Sequence, residues 1–418
     1  MSTQFPTAPD PQPQGGAGPQ PSPYPAQGFG PSTQSPYQAV APPPQGLAQR
    51  GAPTDASQPG ASPQPYQHPA QPGTGFPAQP VPPPGAPYPA QAGVGFPGQT
   101  VPPGAAYPAW PAPLPAEQTI YPRFFRVPGF KRYKAVLAAV LGLAAFFVVS
   151  IILSAVWVAV ELATGSMTLE SLSQLNMSNV VTPSFFLLNN LSLVACIGIA
   201  MAFAAIFFRQ RPGWLASVQG RFRWGFFGRC LLIAAPIIAV DLVAEALIAG
   251  PWELRLRDHT VFMIVVILLT TPLQCAGEEY LCRGLINRGF GSLPKGRTAG
   301  VATGALVSTA VFAVLHGATD PYLIVFYCFF GLACCLLAWK TGGLEAAIAV
   351  HAANNVLGMW MVPFTDFSGM FDRGAGTGSP VVLLQMAALA LACWLILRQA
   401  KRLGLPETGP PPAVTPGR

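Results

Sequence analysis

Charged side chains are scarce in this chain of 418 residues, because Asp, Glu, Lys and Arg make up 9% of it and hydrophobic residues 51%. Soluble globular domains carry about 25% charged residues, so that class is excluded. The apolar residues are gathered into blocks long enough to cross about 30 Å of hydrocarbon at about 1.5 Å per residue. The sequence therefore predicts an all-α polytopic membrane protein.

The sequence also lacks the signals of nucleic-acid binding, of cysteine-based metal or disulfide sites, and of a cleavable signal peptide. The net charge of +7 comes from basic residues beside the apolar blocks, where they set topology, so no nucleic-acid partner is expected. The eight cysteines have no metal-finger spacing and indicate no disulfide framework. Met1 is not followed by a basic and then an apolar stretch, so no cleavable signal peptide is expected.

Residues 1–122 are rich in Pro, Gln, Ala and Gly and carry few charges. Such a segment cannot bury enough apolar surface to offset its ordering entropy, so we expect a disordered tail with polyproline character. It is interpreted as a cytoplasmic spacer or, alternatively, as a docking tail for a partner that binds proline-rich segments. Residues 405–418 are expected to form a disordered C-terminal tail.

Residues 123–404 are predicted to form a membrane domain of eight spans. The spans are expected at about 136–160, 185–208, 226–249, 260–282, 299–317, 322–339, 344–362 and 381–397. With both termini in the cytoplasm, the 23 Lys and Arg residues all fall on the cytoplasmic side except Arg255, Arg257 and Arg373, which is the bias that sets orientation. The fifth span contains small residues that should permit close helix packing, namely Gly300, Ala302, Gly304, Ala305 and Ser308.

The fourth span ends in two adjacent carboxylates, Glu278 and Glu279, followed by Arg283. An ionisable residue inside a membrane is costly and indicates a functional site. Glu279 and Arg283 are four residues apart, so they share a helix face and are expected to form an ion pair. Glu278 lies about 100° around the helix and is expected to be available to a partner from another span.

Two of the four histidines also lie in apolar segments. His316 ends the stretch that begins at Phe312, and His351 shares a helix face with Asn355 in the seventh span. A carboxylate beside a neutral imidazole can hold a water molecule and remove its proton, while a second histidine and an amide can donate hydrogen bonds to an oxyanion. Alternatively, Glu278, His316 and His351 match a three-ligand catalytic zinc site.

Other charged residues of the spans receive structural interpretations. Glu345 is expected to form an interfacial pair with Lys340. Asp241 and Glu245 share a face of the third span, where they could extend a polar cavity or, as the favoured interpretation, lie at a solvated helix end.

The motifs Glu278-Glu279-x-x-x-Arg283, Phe312-x-x-x-His316 and His351-x-x-x-Asn355, in that order on successive apolar segments, resemble those of the CPBP family. That family comprises type II CAAX prenyl endopeptidases and bacterial bacteriocin-processing or immunity proteins. The resemblance covers roughly residues 255–362.

The resemblance implies that Glu278 and His316 activate the attacking water, and that His351 and Asn355 form the oxyanion hole. It implies a supporting role for Glu279 and Arg283. We favour metal-free hydrolysis, with no cofactor, because Asn355 is a poor zinc ligand and a good oxyanion donor.

Glu278 and His316 must reach the same depth for this site to form. A straight fifth helix that enters the hydrocarbon at 299 would hold them far apart, so we expect the fifth span to begin later than 299, with 296–303 outside the hydrocarbon. The predicted function is an intramembrane endopeptidase of a bacterial plasma membrane, acting on a peptide or membrane-protein substrate. The alternatives are a catalytically silent membrane scaffold, a bacteriocin-immunity protein and a transporter.

Overall fold

In the part of the chain that the computed structural model describes, eight helices are long and apolar enough to cross a membrane. The structure describes residues 113–176, 179–249 and 254–409. The number of spans and the multi-pass class are therefore confirmed. The predicted disorder of residues 1–112 and 410–418 lies outside the described residues.

The chain is helical almost throughout the described part. Its helices are α1 (Arg132–Ala163), α2 (Leu169–Ser173), α3 (Pro183–Phe208), α4 (Pro212–Ala216), α5 (Trp224–Ala249), α6 (Thr260–Glu279), α7 (Arg288–Gly291), α8 (Arg297–Leu315), α9 (Pro321–Thr341), α10 (Glu345–Gly358) and α11 (Val382–Arg402). Short 3-10 turns form at Tyr121–Arg123 and Val362–Phe364, and a π-helix at Tyr280–Asn287. Two-residue strands β1 (Thr119–Ile120) and β2 (Thr408–Gly409) pair antiparallel.

Helix starts and stops follow local chemistry. At α3, the Thr182 hydroxyl accepts the amide of Phe185 and Pro183 occupies the first turn. Asp320 caps α9 in the same way, and Pro321 follows it. The α9 helix ends at Gly342, whose φ of 66° is in the left-handed region that glycine adopts without strain.

The fourth span is longer than predicted. The span does not stop at residue 282, because α6, the π-helix and α7 follow one another without a break and form one apolar helix from Thr260 to Gly291. Glu278 therefore lies about 20 Å before the end of the span, at about 1.5 Å per residue, rather than at its last turn. The acid pair is placed within the span and not at its edge.

Helix α8 packs antiparallel on this extension, with the hydroxyl of Ser308 donating to the carbonyl of Cys282 at 2.8 Å. Glu278 lies one turn before Cys282, and Phe312 lies one turn after Ser308, so these two residues are at the same level of the antiparallel pair. His316 lies one turn beyond Phe312. Helix α8 itself begins at Arg297, and the expectation that 296–303 lie outside the hydrocarbon stays a prediction. The length of the fourth span also reduces the difference in depth between Glu278 and His316.

Small residues make the close approach of α8 possible. Gly300, Gly304 and Ser308 are buried in the contact, as predicted, while Ala302 is exposed and Ala305 half-buried. A Cβ at Gly304 would overlap the backbone carbonyl of Asn287. The small-residue face is thus narrower than the five positions singled out from sequence.

The membrane domain extends beyond its predicted boundaries at 123 and 404. Ile120 and Tyr121 are buried, and β1 pairs with β2 at residues 408–409. Arg288 holds this edge: it donates to the Trp214 carbonyl at 3.0 Å, and its guanidinium lies over three rings, those of Tyr121, Phe124 and Phe125. These residues therefore belong to the packed body and not to the tails.

Two interpretations of charged residues are wrong. Glu345 pairs with Arg223 at 2.6 Å, both side chains being buried, whereas Lys340 pairs with Glu407 at 3.6 Å. Asp241 is 4% exposed, so it does not lie at a solvated helix end. The packing of helices against one another determines both the partner of Glu345 and the burial of Asp241.

Candidate functional site

A buried cluster joins the first and third motifs. The Arg283 guanidinium donates to Glu279 Oε1 at 3.0 Å, so the predicted ion pair is present. His351 Nδ1 lies 2.9 Å from the same oxygen. All three side chains are almost fully buried. Because the Glu279 carboxylate is paired with Arg283, it accepts a hydrogen bond from Nδ1–H of His351.

Arg283 also connects this cluster to the second motif. It donates to the carbonyl of Gly331 at 3.2 Å, and its guanidinium lies 4.5 Å from the centre of the Phe312 ring. The cation is therefore enclosed by a carboxylate, a carbonyl and an aromatic face, which offsets the cost of its burial. Phe312, identified by its motif position, packs against the arginine.

Glu278 has a different environment from its neighbour. Its Oε1 accepts a hydrogen bond from Nε2 of Gln274, one turn earlier on α6. Its Oε2 lies 3.8 Å from Nε2 of His351. The Glu278 side chain is 13% exposed, whereas that of Glu279 is fully buried. The two carboxylates are thus separated as predicted, but Glu278 already has polar neighbours.

His316 directly follows the last residue of α8, and its ring orientation is set by the backbone. Its Nδ1 lies 2.8 Å from the Phe312 carbonyl oxygen. Because a carbonyl only accepts, Nδ1 carries the hydrogen and Nε2 of the neutral ring retains its lone pair. The ring packs against that of Tyr327 with centroids 4.1 Å apart.

Asn355 is held by its neighbour on α10. Asn354 Nδ2 donates to Asn355 Oδ1 at 3.1 Å, and Gln385 Nε2 on α11 donates to Asn354 Oδ1 at 3.0 Å. Because its oxygen is occupied, Asn355 presents its amide N–H groups to other partners. Asn354, on a different face, acts as the link to α11.

One cavity of about 390 Å³ brings residues of the three motifs together. Glu278, His316 and Asn355, from three different helices, all line it, as do Gln274 and Arg373. The rest of the lining is mostly apolar. His351 and Glu279 are not among the lining residues. The joint site is thus supported for Glu278 and His316, while His351 lies behind Glu278 rather than at the cavity wall.

The zinc alternative requires Glu278, His316 and His351 to converge on one point. Among the residues that the structure describes, no group of three or more His, Cys, Asp or Glu side chains is arranged to hold a metal ion. The donor set as arranged does not fit a three-ligand zinc site. We therefore derive no step through a metal.

Gln274 and Arg373 are among the lining residues that sequence reasoning missed. Gln274 is four residues before Glu278 in an apolar run, a spacing that places both on one helix face and could have identified it. Arg373 was one of three arginines that fell outside the basic side of the predicted topology. Its place in the cavity depends on the loop between α10 and α11, for which the sequence offers no periodic signal.

These features define a multi-pass membrane protein whose buried Glu–His–Arg cluster lies behind an apolar cavity with polar groups at its wall. Residues 258–357 match the family described as type II CAAX prenyl endopeptidase Rce1-like. The match covers all three motifs and confirms the resemblance drawn from them. It supports a hydrolase of the CAAX-protease-like class.

A second comparison finds a similarity over part of the chain. The chain is 26% identical over 144 residues to the uncharacterized protein YyaK of Bacillus subtilis (strain 168), which covers 32% of this chain and 46% of that protein. The chain thus matches less than half the length of this curated relative. No solved structure matches the chain.

Proposed function

We propose that the protein is an intramembrane endopeptidase that hydrolyses a peptide bond with a water molecule activated by Glu278 and His316. The observation that carries this proposal is the cavity that Glu278, His316 and Asn355 line together from α6, α8 and α10. A carboxylate, an imidazole lone pair and an amide donor on one cavity wall are the groups that water-based hydrolysis of an amide requires.

Glu278 is the proposed general base. Glu279 is occupied by Arg283 and His351, so it is not free to accept a proton from water. Glu278 reaches the cavity, and Gln274 orients its carboxylate by donating to one oxygen. The other oxygen remains for the water molecule and for His351 Nε2.

His316 is proposed to position the same water molecule. The Phe312 carbonyl holds the Nδ1 hydrogen, so Nε2 can accept a hydrogen bond from the water while Glu278 removes the proton. The resulting hydroxide attacks the peptide carbonyl carbon. When the C–N bond breaks, the proton on Glu278 passes to the departing amine, which leaves one carboxylate product and one amine product.

Asn355 is proposed to stabilise the oxyanion, because its side-chain oxygen is satisfied by Asn354 and its N–H groups are available. The resemblance also implied an oxyanion role for His351. Its contacts favour another role: Nδ1 is bound to Glu279, and Nε2 faces Glu278. We propose that His351, with a hydrogen on both ring nitrogens, orients Glu278 and stabilises its charge.

The proposal extends to substrate and location. The largely apolar cavity fits a peptide or membrane-protein segment that enters from the bilayer. We propose a bacterial plasma membrane with the N-terminus inside, and metal-free hydrolysis without a cofactor. A protein that binds the proline-rich tail is a further proposed partner.

Membrane proteomics tests the activity. Cells producing Glu278→Gln or His316→Ala should accumulate an uncleaved protein that is absent from cells producing wild type, because removal of a general base costs about 10²- to 10⁴-fold in rate. Glu245→Gln is the matched control, a glutamate of α5 that does not line the cavity. If both variants fold and neither accumulates a precursor, the silent scaffold or immunity protein is favoured.

Purified protein tests the metal question once a substrate is found. Full activity after treatment with a chelator is expected from the glutamate-based mechanism. Loss of activity that Zn²⁺ restores would contradict it.

A further inference from the structure

The cavity contains one basic side chain that the proposed chemistry does not use. Among the residues that line it, Arg373 is the single Lys or Arg, and Glu278 is the single Asp or Glu. Arg373 belongs to the segment between the 3-10 turn at Val362–Phe364 and α11. A cation in a largely apolar cavity is costly unless it meets an anion there.

The backbone holds Arg373 firmly. Its carbonyl accepts the amides of Thr319 at 2.9 Å and Asp320 at 3.3 Å. The Asp320 carboxylate in turn accepts the amides of Tyr322 and Gly376 at 2.9 Å each. The loop is thereby joined to the start of α9, so the position of Arg373 is built into the fold.

The side chain of Arg373 is oriented by neutral groups. Its Nε donates to the Tyr327 hydroxyl at 2.7 Å, and Nη1 donates to the Phe371 carbonyl at 3.1 Å. In the part of the chain that the structure describes, no carboxylate forms an ion pair with Arg373, whereas buried Arg223 and Arg283 each have one. The bonds to Tyr327 and Phe371 leave Nη2 unused and do not neutralise the charge.

Arg373 lies close to the proposed catalytic groups. The ring of Tyr327, which binds its Nε, packs against His316 with centroids 4.1 Å apart. An anion bound by Arg373 would therefore lie beside His316 and on the same cavity wall. This arrangement suits a peptide whose anionic group is near the bond to be cleaved.

We infer that Arg373 is a specificity residue that binds a carboxylate of the peptide substrate. This inference rests on the proposed function. Nη1 and Nη2 of a guanidinium match the two oxygens of a carboxylate, and Tyr327 and Phe371 hold the fork in place. The carboxylate is the C-terminal group of the peptide or the side chain of an Asp or Glu residue, since both present the same chemistry.

Binding and cleavage are measured separately to test this inference. The full chain is placed in phosphatidylcholine nanodiscs and offered three libraries of apolar peptides: with a free C-terminal carboxylate, with a C-terminal carboxamide, and with a carboxamide plus one internal Asp. Cleavage by wild type is followed by mass spectrometry, and retention is measured on Glu278→Gln protein. Arg373→Gln and Arg373→Lys are compared with Arg257→Gln, an exposed arginine outside the cavity lining.

Wild type should prefer one carboxylate library over the plain carboxamide by about tenfold or more, as expected for a charge-assisted hydrogen bond. Which carboxylate library is preferred identifies the source. Arg373→Gln should abolish the preference, Arg373→Lys should restore part of it, and Arg257→Gln should retain it.

Equal retention of all three libraries, or an unchanged preference in folded Arg373→Gln protein, overturns the inference. Loss of the preference when anionic lipid is added to the nanodiscs also overturns it, because the bound group is then a lipid phosphate. If peptides with a carboxylate are retained preferentially but wild type cleaves none, the result supports carboxylate binding by Arg373 and contradicts the proposed endopeptidase activity. If wild type cleaves the peptides without a preference for a carboxylate, the endopeptidase activity is supported and carboxylate binding by Arg373 is contradicted.

Discussion

At the scale of single residues, two adjacent glutamates have different physical roles because different helices face them. Glu279 is fully enclosed and accepts hydrogen bonds from Arg283 and His351, so it is part of the internal support. Glu278 reaches the cavity and is bound by Gln274 of its own helix. A rotation of about 100° between neighbours on one helix is enough to bury Glu279 in the supporting cluster while Glu278 faces the cavity.

This separation predicts opposite effects of two conservative substitutions. Glu279→Gln should lower the free energy of unfolding by about 3 kcal/mol, because it leaves the buried Arg283 cation without its counter-ion. Glu278→Gln should leave stability nearly unchanged and remove activity. Thermal unfolding of both purified variants in detergent measures the difference. Equal stability of the two variants would show that the Glu279–Arg283 pair does not support the site.

At the scale of elements, the continuation of α6 into a π-helix positions the site. Within it the Cys282 carbonyl is bound by Ser308 of α8, which sets the register of the two helices. On the other side of α6, Gly277 lets α3 approach. A Cβ at Gly277 would overlap the backbone carbonyl of Leu193.

Gly277→Ala should therefore destabilise the protein by about 1–3 kcal/mol and reduce activity, since α3 and α6 must separate next to Glu278. Gly228→Ala is the matched control, because a Cβ at this glycine of α5 meets no atom within 4 Å. The control should be neutral or more stable by up to about 1 kcal/mol, from the higher helix propensity of Ala. Unfolding midpoints for both variants decide the outcome, and equal effects would contradict close packing at Gly277.

At the scale of the whole molecule, the eight helices form a membrane body whose ends are tied at one edge by β1, β2 and Arg288. The orientation of this body in the membrane is proposed from the distribution of basic residues. It places Arg373, and with it the loop between α10 and α11, on the outer side.

Reporter fusions test that orientation. Alkaline phosphatase fused after Gly378 should be active, because it folds only outside the cytoplasm, and a fusion after Arg402 should be inactive. Green fluorescent protein at the same two positions should give the opposite pattern. Reversal of both patterns would place the N-terminus outside and contradict the proposed topology.

Much of the fold was predictable because hydropathy and length are local properties of the chain. They gave eight spans, and the order of three short motifs led to the residues that line the cavity or support it. The end of the fourth span was misjudged, because the charges at Glu278 and Arg283 resemble a helix end unless other helices enclose them.

The membrane class, the eight spans and the pairing of Glu279 with Arg283 could be predicted from the chain alone, since each depends on residues close together in it. The pairing of Glu345 with Arg223, the place of His351 behind Glu278 and the entry of Arg373 into the cavity could not. Each of these contacts joins distant segments, and which segments meet depends on how whole helices pack, a property that no local pattern encodes.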